Sequence, residues 1–76
     1  MEITKLQMYR RQQCLTQTEV AKRLNVADMT LWRLEHYRTV PRPEIITKLA
    51  YIYKKKPTDI YMAVMNKELV QVKKEA

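Results

Sequence analysis

The stretch TQTEVAKRLNVADMTLWRLE, residues 16–35, restricts what this chain can fold into more than any other. Thr16 followed three residues later by Glu19 is a capping box, in which each side chain satisfies a backbone N–H at the start of a helix. Val20, Ala21 and Leu24 then recur at helical spacing and share a face with Leu15. Asn25 suits the left-handed conformation that ends a helix. A second stripe, Leu31 and Leu34, starts after only a short break, near Ala27 or Asp28, and runs to Glu35 or His36. Helices joined this closely cross at a steep angle, with the small Ala21 at the closest approach and Val26 in the turn. Trp32, the chain's single tryptophan, falls off the apolar stripe beside Arg33, one turn beyond Asp28 and Met29.

The flanks predict three more helices. One covers residues 3–13, with Leu6 and Tyr9 inward and Lys5, Arg10 and Arg11 outward. Pro41 and Pro43 prohibit helix through Val40–Arg42, and Pro43 suits the first turn of a fourth helix carrying Ile46, Leu49, Ala50 and Tyr53 on one face. Lys54, Lys55 and Lys56 complement the negative end of its dipole. Pro57-Thr58-Asp59 starts a fifth helix with Ile60, Ala63 and Val64 inward. The pattern divides the chain into a helical domain over 1–65 and a tail over 66–76. In the tail Leu69–Val72 fits either a helix continuation or a short strand, and Lys73–Ala76 are expected to fray.

Seventy-six residues make one small domain, which buries only about 60% of its unfolded surface and leaves little room for a large catalytic cleft. The absence of glycine and the abundance of Leu, Met, Lys, Gln and Glu favour helix. No segment approaches a membrane span, and MEITKLQMYRRQQ lacks the apolar core of a signal peptide. The single cysteine, Cys14, fits a reducing cytoplasm. Fifteen Lys and Arg against eight Asp and Glu leave a net charge of +7, a field that attracts polyanions such as DNA, RNA or an acidic membrane surface.

Residues 4–62 resemble the lambda-repressor-like, Cro-type (XRE) helix-turn-helix family. The resemblance rests on LTQTEVAKRLNVADMTLWRLE, the basic proline-containing loop after it, and IITKLAYIY with PTDIY. It implies an all-α fold, a five-helix lambda-repressor-like DNA-binding domain with a short C-terminal extension. It also implies that Gln17, with Thr18, opens the second helix against a phosphate, where the helix N-terminus presents backbone amides. Asp28, Met29, Thr30, Trp32 and Arg33 would face the major groove, with Arg38, Thr39 and Arg42 gripping the DNA backbone after it. Arg10 and Glu35 match a buried salt bridge between the first and third helices. In this setting Arg33 is expected to donate twice to guanine, a contact that discriminates by about 1–3 kcal/mol. Asp28 either accepts from a cytosine amino group or caps the third helix, since Ala27 cannot; capping is the expectation. Cys14, Asn25, Tyr37 and Lys54 stand where the family commonly has glycine. Tyr37 would be strained in a left-handed conformation, so the third helix is expected to end differently.

Plainer readings stand beside these. Trp32 fits core or a protein interface as well as DNA. Lys54–Lys56 fit a solvated helix end, and Cys14 a small packing residue. Tyr51, Tyr53 and Tyr61 with Met62 and Met65 fit core, although some are expected at a dimer surface. His36 has no companion for metal binding or acid–base chemistry, and no acid–base or metal constellation points to an enzyme or a cofactor. The expected protein is a small DNA-binding repressor of phage, plasmid or mobile-element type, cytoplasmic in a bacterium. It would act as a homodimer on a near-palindromic operator, controlled by its abundance or by a regulatory partner protein such as an antirepressor. Tyr61, Met62, Met65, Leu69, Val70 and Val72 are the candidate dimer residues. The rival is a protein-interaction module, such as an antitoxin or a regulator subunit.

Overall fold

Five helices and a two-stranded ribbon make up the computed structural model, which describes residues 1–72. In chain order they are β1 (Glu2–Thr4), α1 (Lys5–Gln12), α2 (Gln17–Leu24), α3 (Asp28–Glu35), α4 (Pro43–Tyr53), α5 (Pro57–Met65) and β2 (Leu69–Gln71). The all-α expectation holds, and the ribbon is a small addition to it.

The first helix is shorter than residues 3–13 because Thr4 caps it. The Thr4 hydroxyl accepts from the Gln7 N–H at 3.2 Å, and Gln7 Oε1 accepts from the Thr4 N–H at 2.8 Å. This second capping box fixes the helix start at Lys5 and leaves the preceding residues extended. They pair antiparallel with β2, Ile3 opposite Val70, so the tail takes the strand alternative. The fraying expected of Lys73–Ala76 lies outside the described residues. The box at Thr16 and Glu19 is present as expected. The Thr16 backbone N–H, and next its hydroxyl, hold the Glu19 carboxyl below the usual carboxylate range. Its contribution to stability is therefore present at neutral pH and lost as pH falls through that lowered value.

The helices close around Leu6, Leu24, Leu31, Leu49, Tyr53 and Ile60, all essentially inaccessible to water. Val20, Ala21 and Leu24 on α2 meet Leu31 of α3 in this core, as the apolar stripe requires. Among the described residues no helix is long and apolar enough to cross a membrane.

Every helix ends the same way, and none uses glycine. Cys14, Asn25, Tyr37, Lys54 and Lys67 all have φ between 46° and 59°. After α3 the Tyr37 N–H bonds to the Leu34 carbonyl and the Arg38 N–H to the Arg33 carbonyl, the paired bonds of a Schellman motif. The expectation that Tyr37 would force a different ending is therefore corrected. Its hydroxyl donates to the Glu68 carbonyl at 2.6 Å and accepts from the Lys5 N–H at 3.0 Å. These bonds hold a left-handed backbone that a bulky residue otherwise disfavours, and they fasten the end of α3 to the ribbon. Burial raises the Tyr37 pKa, which keeps the donating proton in place.

Two stability measurements check this account. Tyr37→Phe is expected to cost about 1–2 kcal/mol in denaturant unfolding, through the lost hydroxyl bonds. Lys67→Gly, at an exposed left-handed position, is expected to stabilise by up to about 1 kcal/mol. A lower melting temperature for Lys67→Gly would mean that the backbone there is not strained.

Candidate nucleic-acid interface

The interface begins with a buried carboxylate. Glu35, in the last turn of α3, is fully buried. Its Oε2 accepts from Arg10 Nε at 2.6 Å, and its Oε1 accepts from Gln17 Nε2 at 2.8 Å. Arg10 also donates to the Leu15 carbonyl at 3.1 Å, and the Tyr53 hydroxyl makes a long contact of 3.5 Å to Oε2. Burial, and then the Glu35 charge, push the Tyr53 hydroxyl far above its usual range, so it stays protonated. One carboxylate therefore touches side chains from α1, α2 and α4, and no buried side-chain polar atom among the described residues lacks a partner. Gln17 sits at the first position of α2, so its side chain is spent partly on orienting that helix N-terminus against α3. Spacing alone did not reveal this bond.

Asp28, Met29, Thr30, Trp32 and Arg33 of α3 are all exposed, while Glu35 on the same helix is buried. Trp32 is 37% exposed. Its indole stacks on the His36 ring with centroids 4.2 Å apart and planes within 20°. His36 Nδ1 lies 2.8 Å from the Trp32 carbonyl oxygen, and the Arg38 guanidinium sits 5.7 Å from the indole centroid. The tryptophan is thus held on the surface by two neighbours. His36 had no assigned role in the sequence beyond its lack of metal or acid–base companions; its i, i+4 spacing from Trp32 is the signal that was there to find.

Asp28 does not cap α3. Ala27 occupies the cap position without a side-chain bond, and the Asp28 carboxylate instead accepts from the Thr18 hydroxyl at 3.2 Å. This corrects the capping expectation and ties the start of α3 to α2. Thr30, Thr39 and Arg42 line one cleft of about 340 Å³ beside the loop that follows α3. Arg33, Arg38 and Arg42 are exposed. Neither ion pair among the described residues, Lys5–Glu68 or Arg10–Glu35, involves any of these three.

The remaining candidates fall elsewhere. Tyr61, Met62, Met65 and Leu69 are exposed, whereas Val70 and Val72 line a cleft against α1 with Ile3 and Met8. Cys14 is exposed rather than packed. Tyr53 is core, while Tyr51 is 86% exposed. The Lys55 ammonium lies 5.2 Å from the Tyr9 ring centroid, a cation–π contact. Among the described residues no group of three His, Cys, Asp or Glu side chains could hold a metal ion.

A short turn at Asn25, small buried Ala21 on α2, and exposed Arg33 on α3 with exposed Arg38 and Arg42 after it are the parts of a DNA-reading helix pair. Compared with known families, residues 4–59 match the helix-turn-helix domain. No curated protein and no solved structure matches the chain. With well over half its length covered by that match, and with α2 and α3 joined by a three-residue turn within it, the chain belongs to the helix-turn-helix domain family, of the lambda-repressor-like (XRE) type.

Proposed function

We propose that this chain is a sequence-specific, double-stranded DNA-binding transcriptional regulator, a small repressor of phage, plasmid or mobile-element type. One observation carries the reading. α3 presents an exposed, stacked tryptophan with Arg38 against it and Arg33 next to it in sequence, and Arg42 follows at the start of α4. These three arginines are exposed and outside both ion pairs, and the helix is anchored to the core by buried Glu35. A B-DNA major groove about 12 Å wide admits one such helix. In this reading Arg33 donates to guanine, and Trp32, Met29 and Thr30 lie along the groove wall. The N-terminus of α2 at Gln17 and Thr18, and the side chains of Arg38, Thr39 and Arg42, hold phosphates. Asp28, already bonded to Thr18, accepts from a base only where a cytosine amino group meets it.

One recognition helix reads only a few base pairs, so a homodimer on a near-palindromic operator is part of the proposal. Recognition helices would then stand about 34 Å apart. The exposed Tyr61, Met62 and Met65 on α5, with Leu69, favour that dimer. The same apolar residues also suit the rival reading, a module that chiefly binds another protein.

Salt dependence separates the two. A dimer engaging about six phosphates predicts a log–log slope near −5. The absence of such a slope, with tight binding to a protein, favours the rival. Selection from a random duplex pool supplies the operator. Arg33→Ala is then expected to weaken binding to it by about 5- to 150-fold and relax preference at one base position. Arg38→Ala is expected to weaken operator and random duplex about equally and to reduce the salt slope by about 1. Unchanged operator affinity in Arg33→Ala would remove the base-reading assignment. Trp32, as the single tryptophan, reports the face directly: its emission should change on saturation with operator, and a constant spectrum would place the indole away from DNA.

A further inference from the structure

A second basic surface lies between α2 and α4, away from the outer face of α3. Two adjoining clefts of about 460 and 560 Å³ share Arg23, Tyr51 and Ile52; Lys48 lines the first, and Lys54 and Lys55 the second. No acidic residue lines either cleft. Neither ion pair among the described residues uses any of these cations. Tyr51, at 86%, is more exposed than any other large apolar side chain of the described residues. It stands on a helix whose inner face, Leu49, Ala50 and Tyr53, is already filled. The fold therefore gains almost nothing from this ring, and an aromatic surrounded by cations is the arrangement of a binding surface rather than of a core.

We propose that this cleft, floored by Tyr51 and Ile52 and rimmed by Arg23, Lys48, Lys54 and Lys55, docks an acidic amphipathic helix of a partner protein. Charge selects the occupant. A second copy presenting the same face brings like charges together, on a chain whose net charge is already +7. Duplex DNA fits poorly for two reasons. Lys48 stands six residues along α4 from Arg42 at its N-cap, or about 9 Å by helical rise, and Lys55 lies past the far end of that helix. A phosphodiester surface also offers nothing apolar to cover Ile52 and the Tyr51 ring. A helix with carboxylates flanking an apolar stripe meets both requirements, setting leucine-like side chains on the floor and carboxylates on the rim. The surface is separate from the outer face of α3, so the partner and DNA can be held together.

The test uses the full ¹⁵N-labelled chain and a defined probe, an end-blocked helical peptide of about 15 residues with leucines on one face and glutamates beside them. A sibling peptide carries glutamine at every glutamate. The acidic peptide is expected to shift the backbone amides of Arg23, Lys48, Tyr51 and Ile52, and the glutamine sibling to bind at least about tenfold more weakly. Tyr51→Ser and the Arg23→Gln/Lys48→Gln double variant are each expected to weaken the peptide at least about fivefold. Tyr51→Ser should leave affinity for random duplex DNA within about twofold, and saturating duplex should not displace the peptide. The proposal is overturned if the shifts centre on Arg33 and Arg38, or if Tyr51→Ser binds the peptide normally. It also fails if duplex DNA moves the Tyr51 and Ile52 amides, or if those signals broaden with protein concentration alone. Loss of DNA binding by Arg33→Ala with intact peptide binding separates this surface from the DNA-reading proposal.

Discussion

The structure depends on one buried carboxylate. Glu35 is wholly enclosed and held at 2.6 Å by Arg10 and at 2.8 Å by Gln17. Taking an ion pair out of water carries a desolvation penalty of several kcal/mol per ion, so such a pair is weak evidence for stability by itself. Its value here is geometric. The end of α3, the start of α2, the end of α1 and the hydroxyl of Tyr53 on α4 satisfy their polar groups together in this arrangement. A rotation of α3 about its axis would strand a carboxylate and a guanidinium in an apolar core. The face that turns outward, with Trp32 and Arg33 on it, is fixed by that penalty.

The chain ends are coupled to the same helix by a second device. Tyr37 adopts φ 59° at the end of α3, and its hydroxyl spans to Lys5 and Glu68. A glycine would relieve the backbone but carry no such bridge. The ribbon formed by β1 and β2 is thereby joined to α3 at its C-terminal end, while Glu35 joins α3 to the helical core two residues earlier. Arg38 and His36, which flank Trp32, sit on either side of this bridge. The tryptophan is therefore presented by a segment with little freedom, and a side chain that is already ordered loses less entropy when it meets a ligand.

The charge of +7 is divided in use. Arg10 and Lys5 are consumed in ion pairs that hold the fold. Arg33, Arg38 and Arg42 lie on or just after α3, and Arg23 and Lys48 with the lysines at the end of α4 gather around Tyr51. A single net charge hides these three locations, because the field at long range sums what geometry separates.

How much of this was legible follows from the range of the interactions. Capping by Thr16 and Glu19, the left-handed Asn25, the proline start of α4 and the apolar stripes depend on residues three or four apart, so the sequence by itself determined the five helices and the helix pair. The capping box at Thr4 and Gln7 is equally local, and it starts the first helix at Lys5, two residues later than the apolar spacing alone implies. The family pattern pointed to the Arg10–Glu35 pair. The Gln17–Glu35 bond, the Thr18 hydroxyl on Asp28, the Tyr37 bridge to Glu68 and the pairing of Ile3 with Val70 join residues from 10 to 67 positions apart. Only the tertiary structure decided them. A polar side chain far along the chain has many possible partners, and which one it meets is settled by how the apolar faces pack.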